Sequence, residues 1–230
     1  MLGLGATTQH ADLSWNPSFL RGAIHWWRKG HVELDAEGDI TKWINSLSGS
    51  HWTQDGSGSS SPILSGDEAV KFDVSSVSMN IEVDGAGALI SLGAYDIYIR
   101  MKFDASTTIN NEDVLEKDGS NFFKIVSPTA LRYKFAGERH DATINAIDVN
   151  EPFTLSTSRD SGGNVKVYVD AAQGEFDEGE GVQDIGDTFD FNILGKPSAI
   201  SYWYEIVICD SPLNATDQRL MLDYLSKVIA

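Results

Sequence analysis

The sequence predicts an all-β protein: a two-sheet antiparallel jelly-roll sandwich carrying one C-terminal α-helix. Three observations carry this. Apolar and polar residues alternate with period 2 along much of the chain. Turn clusters recur about every 10–12 residues, as in packed antiparallel sheets. Helical period is confined to one segment near the end.

The elements follow in order. Met79, Ile81 and Val83 alternate with Asn80, Glu82 and Asp84, which predicts a strand with one face in the core. Tyr95, Ile97, Ile99, Met101 and Phe103 alternate with Asp96, Tyr98, Arg100, Lys102 and Asp104, the pattern of a half-buried strand. Phe123 and Ile125, then Leu131, Tyr133 and Phe135, form two short strands about Ser127-Pro128-Thr129. Phe153, Leu155 and Thr157 run into the turn cluster Arg159-Asp160-Ser161-Gly162-Gly163-Asn164. Val165, Val167 and Val169 follow at once, which reads as a β-hairpin. Phe189, Phe191 and Ile193 make another strand, and Tyr202, Tyr204, Ile206 and Ile208 the last. Asn214 is a good N-cap, and Asp217 suits the positive end of a helix dipole. Leu220, Met221, Tyr224, Leu225 and Val228 then form an apolar stripe, predicting a helix over 214–229 that docks on the sandwich. The Ser-Gly run from Gly56 to Ser61 reads as a loop tip. The 230 residues are about twice the ~100 of an immunoglobulin domain, which favours the jelly roll. The chain divides into an arm, residues 1–19, and one domain, residues 20–230.

Composition excludes several classes of partner. Acids number 34 against 17 bases, a net charge of −17, so nucleic acid and anionic membranes are repelled. The densest cations are the pair Arg28 and Lys29. No apolar run approaches the ~18 residues of a membrane span, and the N-terminus lacks the features of a signal peptide. Synthesis in a reducing cytosol without a secretion signal is the expectation. A lone cysteine, Cys209, excludes a disulfide framework.

The order of four pieces resembles the laminin-G-like branch of the concanavalin A-like lectin/glucanase superfamily. They are Ile24-His25-Trp26-Trp27 with Ile40 to Gly49, then Val70-Lys71-Phe72-Asp73, then the hairpin from Phe153 to Val169. The fourth runs from Tyr202 to Ile208 through Ser211-Pro212-Leu213 into the helix. The opening Met1-Leu2-Gly3-Leu4-Gly5 is similar to virion proteins of tailed phages, particularly those of marine cyanobacteria. That resemblance implies a virion structural protein, made in the host cytoplasm and located in the particle. Met1, Leu2 and Leu4 would anchor it to capsid or tail subunits, with homo-oligomers also expected.

Catalysis is not expected from the residues. Glucanases of the resembled superfamily carry Glu-x-Asp-x-x-Glu, because retaining hydrolysis needs two carboxylates about 5–5.5 Å apart. Here Glu82-Val83-Asp84-Gly85-Ala86-Gly87 lacks the final Glu, and Glu112 to Glu116 has the wrong spacing. Cys209 reads as a small buried hydrophobe. His10, His25, His31, His51 and His140 show no ligand spacing. The sequence reading is therefore a non-enzymatic protein, with a carbohydrate-binding tail module as the alternative and a glycoside hydrolase third.

Two binding expectations remain. Aromatic faces stack on sugar rings, so His25, Trp26 and Trp52 are candidates for glycan contact. Adjacent Trp26 and Trp27 on a strand point to opposite faces, so at most one is outward. Seven acids and no base lie between Glu175 and Asp190. Asp177, Glu178 and Glu180 there are candidate ligands for Ca²⁺, which takes hard oxygen donors.

Overall fold

The computed structural model describes residues 15–54, 61–73, 78–177, 179–182, 186–195 and 198–228. A 3-10 turn, Pro17–Phe19, precedes β1 (Ala23–Leu34), β2 (Ile40–Asn45), β3 (Ser50–Gln54), β4 (Ile63–Leu64), β5 (Val70–Phe72), β6 (Ser78–Val83) and β7 (Ala86–Gly87). Then come β8 (Ile90–Leu92), β9 (Tyr95–Phe103), β10 (Glu112–Asp118), β11 (Asn121–Ser127), β12 (Ala130–Phe135) and β13 (Glu138–Thr143). The last strands are β14 (Phe153–Arg159), β15 (Val165–Val169), β16 (Ala172–Gln173), β17 (Glu175–Phe176), β18 (Phe189–Phe191), β19 (Ile193–Gly195) and β20 (Ser201–Cys209). One helix, α1 (Ala215–Ser226), ends the described chain.

The antiparallel β architecture and the C-terminal helix stand as the sequence predicts. The division into two sheets is not how the hydrogen bonds run. Among the described residues, eighteen strands form one continuous antiparallel sheet, and β8 pairs with β18 as a separate ribbon. The ladder runs β15–β14–β9–β20–β1–β2–β3–β6–β19–β10–β11–β12–β13. It bends back on itself. The hydroxyls of Tyr95 on β9 and Tyr133 on β12, far apart along the ladder, hydrogen-bond at 2.7 Å. Strand β1 makes the corner: Ala23 to Arg28 pair with β20, and Val32 to Leu34 pair with β2. Gly30 sits in the break between them with φ +69°, a backbone that a side chain disfavours.

The core lies inside the bend. Trp27, Trp43, Trp52, Phe72, Tyr133 and Trp203 are buried there together with the inward residues of β9, β14 and β15. The β14–β15 hairpin is the one the sequence predicts. Asp160 accepts the amides of Gly162 and Asn164 between β14 and β15. Asp84 and Gly85, both with positive φ, make the two-residue turn between β6 and β7.

Two expectations change. Strand β9 is buried on both faces, with Asp96, Tyr98 and Arg100 buried beside its apolar set. Its outer face is covered by α1, whose Met221 and Leu225 pack with Tyr98, Val207, Cys209 and Trp26 in a second apolar cluster. The last strand also breaks its alternation. Trp203 pairs with Met101 and Glu205 with Arg100, so two residues of β20 oppose one of β9, a β-bulge. Tyr204 therefore joins the outer cluster while Ile206 and Ile208 face the core. Glu205 is turned outward by the same bulge. The helix is shorter than the predicted 214–229, but its cap is as expected, Asn214 Oδ1 accepting from Thr216 and Asp217.

Candidate functional site

Helix α1 crosses the outer face of β9 and β20 and leaves a cleft on either side. The larger, about 450 Å³, lies toward β1. Its floor is built from three residues brought together from the two ends of the chain. Trp26 Nε1 donates to Glu205 Oε2 at 3.0 Å, and the Tyr224 hydroxyl donates to Glu205 Oε1 at 3.0 Å. The Trp26 and Tyr224 rings meet edge to face at 6.3 Å, and Trp15 packs edge-on against Tyr224 at 5.8 Å. Of the expected arm, residues 15–19 are described; Trp15 packs on Tyr224 and Asn16 lines the cleft.

The electrostatics are mixed and local. Glu205 is 4% exposed. Burial pushes its carboxyl up to about 7, against the hydrogen bonds of Trp26 and Tyr224 and the charges of Arg28 and Lys29. Its ionisation therefore falls near neutrality rather than in the usual carboxylate range. Arg28 lies over the Trp26 ring, its Cζ 5.3 Å from the centroid. Among the described residues, Arg28 and Lys29 make no ion pair within 4 Å. Gly30 completes the wall. Its amide donates to Glu68 O at 2.9 Å, and a Cβ on it would stand 3.2 Å from the Glu68 carboxyl group. His31, also lining the cleft, hydrogen-bonds Ser46 through Nδ1. Chemically, the cleft offers two unpaired cations and a proton-sharing acid on an aromatic wall.

The predicted residues are scattered. Trp26 lies in this cleft but is only 7% exposed, with Arg28 over its ring. His25 lies outside the cleft, half-buried, stacked on Trp27 at 5.1 Å. Its Nδ1 is 2.9 Å from Ser50 Oγ and 3.0 Å from Asn45 Nδ2, and burial pushes its imidazole down to about 4. Trp52 is corrected outright: it is fully buried, 5.3 Å from Trp27, and presents no face to a sugar. Met1, Leu2, Leu4 and Glu178 lie outside the described residues.

The described acids of the run between Glu175 and Asp190 lie apart. Glu180 accepts the Asp141 amide, Asp177 is exposed, and Asp190 pairs with Lys117 at 2.9 Å on a different strand. Arg132 and Arg139 both engage the neighbouring Asp141. Among the described residues, no group of three or more His, Cys, Asp or Glu side chains is placed to hold a metal ion. Cys209 is buried as expected, and burial with Asp96 nearby pushes its thiol up to about 12. Glu205, Tyr224 and Glu68 were missed from sequence. A glutamate inside the apolar run from Tyr202 to Cys209 was the available signal.

Fold and cleft together define a class: a bent antiparallel β fold with a polar, aromatic-walled cleft beside a surface helix. Solved structures share the fold. The chain is similar to Trypanosoma rangeli sialidase in complex with 2,3-difluoro-KDN, with a TM-score of 0.59 and 11% identity, over 91% of this chain and 33% of that one. It is also similar to the receptor binding domain of botulinum neurotoxin C/D mosaic serotype, TM-score 0.59 and 8% identity, over 88% of this chain and 51% of that one. The binding domain of botulinum neurotoxin serotype C1 gives 0.57 and 12%, over 89% and 52%. The chain thus spans about a third of the sialidase and half of the toxin domains. At such identities the likeness is one of fold. No protein-family model and no curated protein matches the sequence.

These likenesses correct the expectation of a non-enzymatic protein. Sialidases are enzymes, and they stand among the structures this fold resembles, so the fold is no ground for setting catalysis aside. The absent third glutamate after Asp84 speaks to one strand motif alone, and Asp84 itself sits in the β6–β7 turn.

Proposed function

We propose that the chain is a carbohydrate-binding β module of lectin-like type, and that the Trp26–Glu205–Tyr224 cleft is its glycan seat. The observation that carries this is Arg28 and Lys29, which make no ion pair among the described residues of a protein of net charge −17 and stand at an aromatic, hydrogen-bonding cleft. Free cations beside a buried acid suit a ligand with both hydroxyl and anionic groups, such as an acidic sugar. Support from likeness is limited to the fold shared with a sialidase solved with sialic acid and with neurotoxin receptor-binding domains. Binding to a glycan array, followed by titration calorimetry on the best ligand, is the test. Arg28→Ala is expected to weaken binding about tenfold, the loss of one charge-assisted hydrogen bond. No array binding by the intact protein, or equal binding by the variant, would sink the reading.

The setting is proposed from sequence resemblance alone: a laminin-G-like module in a tailed-phage particle, tethered by residues 1–19 to capsid or tail subunits. Particles assembled with protein lacking residues 1–12 are expected to carry much less of it. Unchanged incorporation would refute the arm.

A further inference from the structure

The second cleft, about 390 Å³, lies on the other side of α1, over the outer faces of β9, β14 and β15. Alternation along β14 puts Thr154, Ser156 and Ser158 on that outer face, opposite Phe153 and Leu155 in the core. Ser156 and Ser158 are 5% and 8% exposed, and both line the cleft. Among the described residues, neither side-chain hydroxyl makes a hydrogen bond with the protein. Tyr98 and Tyr168 flank them, and Leu222 and Gln218 of α1 form the roof.

Both hydroxyls stay open to the cleft, so water or a ligand must supply the hydrogen bonds that the protein does not. Elsewhere under α1 the same sheet face is filled by apolar residues, Val207 and Cys209 among them, so the serines are not demanded by the packing of the helix. They suit a ligand that brings its own hydroxyls. One end of the cleft is closed by Asp96, whose Oδ2 accepts the Leu213 amide at 2.7 Å and the Tyr98 hydroxyl at 3.2 Å. At the mouth, Arg219 and Asp223 from α1 bring opposite charges. Asp223 is held by Lys227 at 2.6 Å, so the lining leaves one charge of each sign, Arg219 and Asp96, with no excess to select an ion over a neutral ligand. Hydroxyls on the floor, phenol rings at the sides and an amide above match a sugar ring, which has an apolar face and an equatorial belt of hydroxyls.

We propose that this cleft is a second binding site, for a neutral monosaccharide unit, separate from the Arg28 cleft. The inference extends the carbohydrate-binding reading but stands on its own residues. The test is a two-dimensional amide NMR titration of the full chain with glucose, galactose, mannose and N-acetylglucosamine, each alone. At least one sugar is expected to shift the amides of Ser156, Ser158, Leu213 and Gln218. The double variant Ser156→Val with Ser158→Val is expected to weaken that binding about tenfold or more. Leu222→Trp, which fills the cleft from the helix side, is expected to abolish it. Shifts confined to Gly30 and His31 would overturn this inference while leaving the first cleft standing. Shifts at neither cleft, or shifts at Ser156 and Ser158 that survive both variants, would overturn it as well.

Discussion

Glu205 shows how much a single residue depends on its surroundings. It is a carboxylate in an apolar strand, bulged outward, then buried by a helix and hydrogen-bonded by an indole and a phenol. Burial dominates and pushes its carboxyl up to about 7, while Asp96 across the helix is pushed up to about 6 for the same reason. Both acids bind their proton more tightly folded than unfolded. The stability they contribute is therefore greatest in acid, and it is lost as pH rises through 6 for Asp96 and 7 for Glu205. Between about pH 5 and about pH 8, Glu205 alone is expected to withdraw roughly 2–3 kcal/mol. Urea unfolding at the two pH values checks this, and Glu205→Gln is expected to flatten the difference by that amount. An equal drop in the variant would mean that Glu205 is not the group being titrated. Trp26 illustrates the converse. The outward tryptophan was correctly separated from Trp27, but outward from the core is still buried once α1 lies over it.

Among the elements, α1 does the most to shape the site. A helix of its length is marginal alone in water, so its place is set by the face it buries. Met221 and Leu225 are fully buried on Val207, Cys209 and Tyr98, and Tyr224 reaches past them to Glu205. The cap is a smaller contribution. Leu225→Ala is expected to cost about 2–5 kcal/mol through lost burial and a cavity, and Asn214→Ala about 1 kcal/mol. Denaturant unfolding of both variants checks the order; near-equal losses would show that packing does not hold the helix. Strand β9 makes the same point from the other side. Its period-2 pattern was legible, and its inward set is as read, but the outer face is buried because α1 takes the place of solvent. The bulge in β20 was not legible, since Tyr202, Tyr204, Ile206 and Ile208 look like unbroken alternation until Trp203 is seen against Met101.

At the scale of the whole molecule, the sequence by itself determined what local chemistry can determine. Alternation specified strands, the Asp160–Asn164 cluster specified a turn, and Asn214 specified where the helix starts. Each of these depends on neighbours within a few residues, so it is written in order along the chain. The acid excess, by the same kind of counting, predicts that nucleic acid and anionic membranes are repelled. Only the tertiary structure decided that, among the described residues, hydrogen bonding runs as one bent sheet with a small separate ribbon, that Trp52 is core, and that the described acids after Glu175 lie apart. Only it brought Trp26 to Glu205, residues 179 positions apart in sequence. The physical reason is that a cleft is made by long-range contacts between surfaces, here a sheet face and a helix. No local pattern encodes which faces will meet until burial of the apolar ones has chosen.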